Sequence, residues 1–291
     1  MICENHILTD EQVQHYETFG FIIRRQVFDF KEIERINDEF EKHFTIIKEG
    51  SENNCKRMGP RQGRDWPNWS NLIPGTPYMA GLLEDPRIYI PTEQLQGEDT
   101  VPVYSNANSF RHNTAWHPDM SQRHIRGLKN LIYLQPTTGN HGSLRLIPGS
   151  HISPLFEELI HIGLRPLDDS KNGFLAKSGM QGEDIPAYVF CSQPGDVITF
   201  NMNVWHAAFG GYEDRRNCSF GFYSIPKTAQ EKEELQAQVE NAKKIKTEMK
   251  MDLIDSQYYH EKWLENPKGS WKRERWIKWL NEWGFIEALN S

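Results

Sequence analysis

The sequence predicts a mainly β chain with flanking helices, on two observations. Residues 101–225 break into short runs, VPVYSNANSF, KNLIYLQP, SLRLIPGSH, IPAYVFC, VITFNM and RNCSFGFYS, divided by turn words such as TTGNHG and SQPGD. Many short strands separated by Gly, Pro and Asn indicate an antiparallel sandwich or barrel, which a double-stranded β-helix fits. The segments on either side carry helical periodicity instead. At 291 residues a single catalytic domain over 1–225 suffices, because sheet-rich domains often run to ~200–250 residues. Residues 226–291 then form a helical extension packed on the same domain.

The elements follow in order. Thr9 stands three residues before Gln12, a capping-box spacing, and predicts a helix that Gly20 ends. Phe21, Ile22 and Ile23 form a short strand-like run, and Phe30, Ile33, Ile36, Phe40 and Phe44 mark an amphipathic second helix. Periodicity then disappears between about residues 50 and 80, where Gly, Pro, Asn and isolated aromatics dominate. Loops this long in a compact domain are more often lids or binding loops than idle connections. This one concentrates Lys56, Arg57, Arg61 and Arg64 in an acidic protein. A solvated basic loop is the default reading, and contact with an anionic group of a substrate is the alternative. Trp66 and Trp69 are candidates for covering a substrate. After the strand block, TAQEKEELQAQVENAKKIKTEMKM predicts a long charged helix. In the tail, Trp276, Trp279 and Trp283 recur at helical spacing and need a large aromatic area buried. Packing on the barrel is the expected solution and a dimer contact the competing one, so monomer and homodimer both stay open.

Composition excludes several partners. A formal net charge of −7 with scattered basic residues leaves no footprint for nucleic acid. No apolar run approaches the ~20 residues of a membrane span, and MICENHILTDEQ lacks a signal region. The chain reads as a soluble, cytoplasmic protein. Cys3, Cys55, Cys191 and Cys218 are far apart and without a CxxC pair, which predicts reduced thiols and no thiolate zinc site.

Chemistry concentrates in the words NTAWHPDMSQ and NVWHAAFGG. His117 and Asp119, two residues apart, would point to one side of a strand, and His206 supplies a second imidazole from another. Two imidazoles and one carboxylate make the facial set that holds non-haem Fe(II) and leaves positions for a co-substrate and O2. A bidentate 2-oxo acid such as 2-oxoglutarate would need a cationic partner for its distal carboxylate, and arginine offers a planar fork. Arg215 and Arg216 compete for that role; alternation lets only one face inward, and Arg215 is favoured.

The words AWHPD, GSLRLIPGSH, PGDVITF, WHAAFGG and RRNCSFGF, together with the opening LTDEQVQHYETFGFIIRRQVF, resemble the phytanoyl-CoA dioxygenase-like family of Fe(II)/2-oxoglutarate oxygenases over roughly residues 7–225. The resemblance implies a jelly-roll, cupin-like double-stranded β-helix with iron ligands at His117, Asp119 and His206. It also implies a 2-oxoglutarate arginine at Arg215, with the hydroxyl of Ser219 four residues on, and a co-substrate contact from Asn106. Relatives that chlorinate carbon replace the metal-binding carboxylate with a small residue. Asp119 is intact, which favours hydroxylation of a small molecule, with 2-oxoglutarate decarboxylated to succinate and CO2. Desaturation or cyclisation with the same cofactors is the alternative, and a metal-binding sensor or scaffold the non-enzymatic one. The absence of an SKL-type C-terminus argues against phytanoyl-CoA itself. His151 and His141 are read as turn residues, and His112 and His124 as surface residues, with substrate contact the alternative. Trp116 and Trp205 are expected to turn away from the metal and to pack behind its ligands.

Overall fold

Helix α1 (Asp10–Phe19) starts where the sequence predicts. The Thr9 side chain accepts from the Gln12 N–H, the Gln12 side chain accepts from the Thr9 N–H, and Gly20 closes the last turn. The structure, a computed structural model, describes residues 6–51, 68–97, 100–110, 113–139, 141–164, 174–211, 215–249 and 258–290. After α1 come β1 (Phe21–Arg24) and α2 (Phe30–Ser51). Asp29 and Glu32 cap α2 reciprocally, which makes Phe30 its first residue. Phe30 stays exposed, while Ile33, Ile36, Phe40 and Phe44 are buried. Burying one such side chain contributes roughly 1.5–3 kcal/mol.

The region expected to be a lid over 50–80 divides. Residues 52–67, with Lys56, Arg57, Arg61, Arg64 and Trp66, lie outside the described residues. Within residues 68–80, β2 (Asn68–Ser70) pairs with a neighbouring strand, a turn segment follows, and Pro77 opens the short α3 (Pro77–Gly81). Edge pairing supplies hydrogen bonds that composition does not reveal. Helix α4 (Pro86–Gln96) follows.

The strands are β3 (Thr100–Phe110), β4 (Thr114–His117), β5 (Gly127–Tyr133), β6 (Leu144–Leu146), β7 (Tyr188–Phe190), β8 (Val197–Asn201), β9 (His206–Ala208) and β10 (Arg215–Ser224). The short α5 (Leu155–His161) and α6 (Phe174–Ser178) lie between β6 and β7. Among the described residues they form two antiparallel sheets, a six-stranded one in the order β1-β8-β5-β10-β3-β2 and a four-stranded one in the order β4-β9-β6-β7. An apolar layer of Leu131, Tyr133 and Phe200 from the large sheet with Leu144, Leu146 and Phe190 from the small sheet joins their facing sides. Alternation sends Cys218, Phe220 and Phe222 of β10 the other way, into a second core with the buried stripe of α2. Trp116 and Trp205 pack with Phe156 and Leu159 behind the small sheet.

The tail comprises α7 (Ala229–Met249), α8 (Glu261–Leu264), α9 (Trp271–Trp283) and α10 (Phe285–Asn290). Trp276 and Trp283 are buried in the core beneath the large sheet, with the Trp276 ring 6.5 Å from that of Phe222. Lys272 pairs with Glu93 of α4, and Arg273 with Glu84. The aromatic face of the tail is therefore spent on this chain's own sheet, while Trp271 stays 66% exposed. None of the described helices is long and apolar enough to cross a membrane.

The PGD turn predicts an acid sensitivity. Asp196 accepts from the N–H of Gln26 at 3.0 Å and of Gln193 at 2.9 Å, and pairs with Arg25 at 2.6 Å. Burial alone would raise its pKa, but these donors hold it below the ordinary carboxylate value. A depressed carboxylate stabilises the fold above its unfolded pKa of about 3.9, and that contribution is lost as pH falls through the folded value. Arg25 is half exposed, so the backbone donors carry most of the effect. Asp196→Ala should cost about 1.5–3 kcal/mol at pH 7, with a difference from wild type that shrinks on titration below pH ~4. Urea unfolding across that range measures it; a constant difference would reject it.

Candidate metal centre and its cavity

The metal-ligand candidates meet across one strand pair. His117 ends β4 and His206 begins β9, and they are direct partners in the ladder. Their ring centroids are 4.4 Å apart. Asp119 is not on the strand, as simple alternation would have it. Pro118 follows the last residue of β4, and Asp119 sits in a bend beyond it. That bend is pinned to the turn preceding His206: Met120 N–H donates to Met202 O at 3.0 Å, and the Asn203 amide donates to the carbonyls of Met120 and Gln122. Asp119 Oδ1 thereby comes within 3.8 Å of His117 Nε2 and 3.7 Å of His206 Nε2. One ligand atom from each of the three residues lies within 4.8 Å of the others.

Protonation fits a cation there. His117 Nδ1 lies 2.8 Å from Ala115 O and His206 Nδ1 lies 2.9 Å from Val204 O. A carbonyl only accepts, so each Nδ1 carries the proton and each Nε2 presents its lone pair to Asp119 and the cavity. Burial, reinforced by His206, pushes the His117 pKa down to about 3. Burial likewise lowers His206, against the pull of Asp119. For Asp119 burial acts upward, yet Lys129 and the two histidines hold it well below the usual carboxylate range. Two neutral imidazoles and an ionised carboxylate are the donor set that a divalent transition metal takes.

Lys129 is the site residue that sequence reasoning missed. Its Nζ is 3.0 Å from Asp119 Oδ2, so the carboxylate keeps Oδ1 for the histidine side. The available signal was a lysine two residues before Leu131 and four before Tyr133, at an inward position of a strand otherwise apolar on that face.

The triad opens into a cavity of about 380 Å³, which also takes in Arg215, Ser219, Asn106, Asn108 and Asn217. Register explains the grouping: on adjacent strands Asn217 faces Asn108 and Ser219 faces Asn106, on one side of the sheet. The Asn108 amide donates to Asn217 Oδ1 and Ser219 Oγ, and Tyr258 Oη donates to Asn106 Oδ1. Arg215 enters the cavity, donates from Nη1 to Gly142 O at 2.7 Å and is nearly fully buried. Gly142 and Gly211 make room for it. A Cβ on either would fall 2.0 Å from Arg215 Cδ or 2.3 Å from Arg215 Nε, respectively. Arg216 points to the opposite side, stacked on Phe40 and Phe44 and paired with Glu41.

The other candidates lie elsewhere. His151 contacts Glu17 O, His141 closes a turn on Thr138, and neither His151, His141 nor His124 lines the cavity. His112 and Trp66 lie outside the described residues, and of Trp69 only the backbone is described, in β2.

A family model described as phytanoyl-CoA dioxygenase (PhyH) matches residues 16–216. The ectoine dioxygenase of Bordetella bronchiseptica is 23% identical over 224 residues, covering 69% of this chain and 70% of that protein. HygX from Streptomyces hygroscopicus, solved with nickel and 2-oxoglutarate, aligns with a TM-score of 0.56 at 20% identity over 76% of this chain and 89% of its own. EctD from S. alaskensis, solved with 2-oxoglutarate and 5-hydroxyectoine, gives 0.55 at 17% identity over 77% and 78%. At these identities the two structures speak to the fold.

Proposed function

The chain belongs to the phytanoyl-CoA dioxygenase (PhyH) family, and from that premise we propose that it is an Fe(II)- and 2-oxoglutarate-dependent oxygenase that hydroxylates a small molecule. The observation that carries this reading is the convergence of two imidazole Nε2 atoms and one carboxylate oxygen within 4.8 Å, in a cavity that also holds a buried arginine. His117, His206 and Asp119 would hold the iron. When bound, iron supplies the redox chemistry that couples O2 and 2-oxoglutarate decarboxylation to oxidation of a C–H bond.

The protein's own part is positional. The carbonyls of Ala115 and Val204 fix both histidine tautomers, and Lys129 engages Asp119 Oδ2, which would leave Oδ1 for the metal. Arg215 would pair its fork with the distal carboxylate of 2-oxoglutarate, with Ser219 and Asn106 as further polar contacts. As a metal ligand, Asp119 would occupy the position a halide would need, which favours hydroxylation over halogenation. The two antiparallel sheets around one cavity support a double-stranded β-helix, with residues 1–225 as the oxygenase domain and 226–291 as an extension of it. A small-molecule substrate fits a cavity of this size.

Two measurements test the reading. Anaerobic addition of Fe(II) and 2-oxoglutarate should produce the weak visible charge-transfer band of the chelate, and admission of O2 should release succinate. Absence of both would reject the oxygenase and leave a metal-binding sensor. Product mass separates gain of one oxygen from loss of two hydrogens. Gly211→Ala, which intrudes on Arg215, should raise the 2-oxoglutarate needed for half-maximal chelation about tenfold, the cost of modest overpacking. Iron affinity should not change; an unaltered 2-oxoglutarate titration would remove Arg215 from the role.

A further inference from the structure

We propose that helix α7 of the C-terminal extension is a working part of the metal centre, with Glu234 as the positioning residue that anchors the backbone loop carrying Asp119. The proposal rests on the metal-centre reading and extends it to residues beyond 216, where the family match ends.

The loop is where the need arises. Residues 118–126 join β4 to β5 with no ladder or helix of their own, and they connect the two partners of an ion pair, Asp119 within the loop and Lys129 just beyond it. Backbone groups without a ladder must be satisfied from elsewhere. The first half of the loop is served by the turn before His206, through Met120 N–H to Met202 O and the Asn203 amide to the carbonyls of Met120 and Gln122. The second half turns its donors to the extension. The N–H groups of Arg123, His124 and Ile125 converge on the carboxylate of Glu234 at 3.3, 2.8 and 2.8 Å. Three successive amides around one anion form a nest, and a charged acceptor makes each bond stronger than a neutral one would.

Helical spacing turns this anchor into a link. Glu234, Gln238 and Ala242 stand at four-residue steps on one face of α7. Gln238 is buried; its Nε2 donates to Gln122 Oε1 in the same loop, and its Oε1 accepts from Tyr223 Oη at 3.3 Å. Tyr223 and Gln238 line the cavity, and so do Ala242 and, from α10, Phe285 and Leu289. Leu235 and Val239 are buried in the core that also takes Trp283 and Phe285, which sets the rotation of α7 about its axis. One helix face therefore meets the metal loop at Glu234 and the cavity wall at Gln238 and Ala242.

The metal ligands depend on this helix unequally. His117 and His206 are held by the β4–β9 ladder, whereas Asp119 follows the end of β4 and keeps its place only as well as the loop does. Removing the Glu234 carboxylate leaves the core anchors Leu235 and Val239 untouched. The loss should therefore fall on the placement of Asp119 more than on the fold.

The test uses full-length protein, titrated anaerobically with Fe(II) by calorimetry and followed by amide hydrogen exchange. In the wild type the amides of Arg123, His124 and Ile125 should exchange at least about tenfold more slowly than in an unstructured chain. Glu234→Ala should release all three and weaken Fe(II) about tenfold, the lower end of the cost of losing a supporting contact. Glu234→Gln keeps one acceptor oxygen and should lie between the two. The control is Glu231→Ala, which removes the carboxylate that accepts from the N–H groups of Lys227 and Thr228 at the start of the same helix; it should lower stability and leave Fe(II) affinity within about twofold. A wild type that binds no Fe(II) takes down the metal-centre reading and this one with it. A wild type that binds Fe(II) while the three amides exchange at unstructured rates overturns the anchor alone, and that measurement needs no variant to fold. Unchanged Fe(II) affinity in Glu234→Ala overturns it as well, and so does an equal loss in Glu231→Ala, which would reduce α7 to a matter of stability.

Discussion

Asp119→Ala should abolish the 2-oxoglutarate chelate band and reduce succinate formation by more than about 100-fold, since loss of a ligand exceeds the 10–100-fold cost of losing a mere supporting contact. The same substitution has a second effect that needs no metal. Asp119 is the ion-pair partner of Lys129 at 3.0 Å, and both side chains are about one-fifth exposed or less. Removing the carboxylate strands the ammonium beside two imidazoles, at a cost of about 1–3 kcal/mol given the residual solvent contact. The double variant Asp119→Ala/Lys129→Met should recover most of that stability in metal-free protein and none of the chelation. Thermal unfolding of the metal-free variants and anaerobic absorbance read the two effects separately. Turnover unchanged in Asp119→Ala would remove the residue from the metal site.

This pair also shows where sequence reasoning reached and where it stopped. His117 and His206 were legible because ligand identity is a matter of residue type, and the ladder brings them face to face. Asp119 was legible as a candidate for the wrong local reason. Strand alternation places residues 117 and 119 on one side, but Pro118 ends the strand, and tertiary hydrogen bonds, from the Asn203 amide to Met120 O and from Met120 N–H to Met202 O, deliver the carboxylate. Those bonds join segments more than eighty residues apart, and no local pattern encodes them. Lys129 was missed because its meaning depends on which side of β5 faces the metal. The contribution of α7 and α10 to the cavity was invisible for a related reason. The Trp periodicity announced burial of the tail, and Trp276 does pack on Phe222, but a helix pattern shows that a face is buried and not which few residues at its rim reach a cavity. Phe30 marks the opposite error, an apolar residue placed in the stripe that the Asp29 cap leaves outside it.

Arg215 and Arg216 offer the cleanest separation of function from packing, because adjacent residues of one strand must point to opposite sides. Alternation along β10 sends Arg215, Asn217 and Ser219 into the cavity, and Cys218 and Phe220 into the core on the α2 side. Arg216 follows the second group, over Phe40 and Phe44 and against Glu41. Truncating a buried arginine that meets a carboxylate typically costs 2–5 kcal/mol, so Arg215→Ala should weaken 2-oxoglutarate by at least about 30-fold. Its affinity for iron alone should be unaffected, because Arg215 lies six residues along β10 from Gly221, the position paired with Lys129 beside Asp119. Arg215→Lys keeps the charge but not the fork and should fall between the two. Arg216→Ala should leave the 2-oxoglutarate titration in place and instead lower stability by about 1 kcal/mol, the scale of cation–π stacking with a partly exposed ion pair. Chelation titrations and urea unfolding on the three variants give a crossed pattern: Arg215 moves the first measurement, Arg216 the second. An equal or larger loss of 2-oxoglutarate affinity in Arg216→Ala would reverse the assignment, because the side that meets α2 cannot also reach the metal.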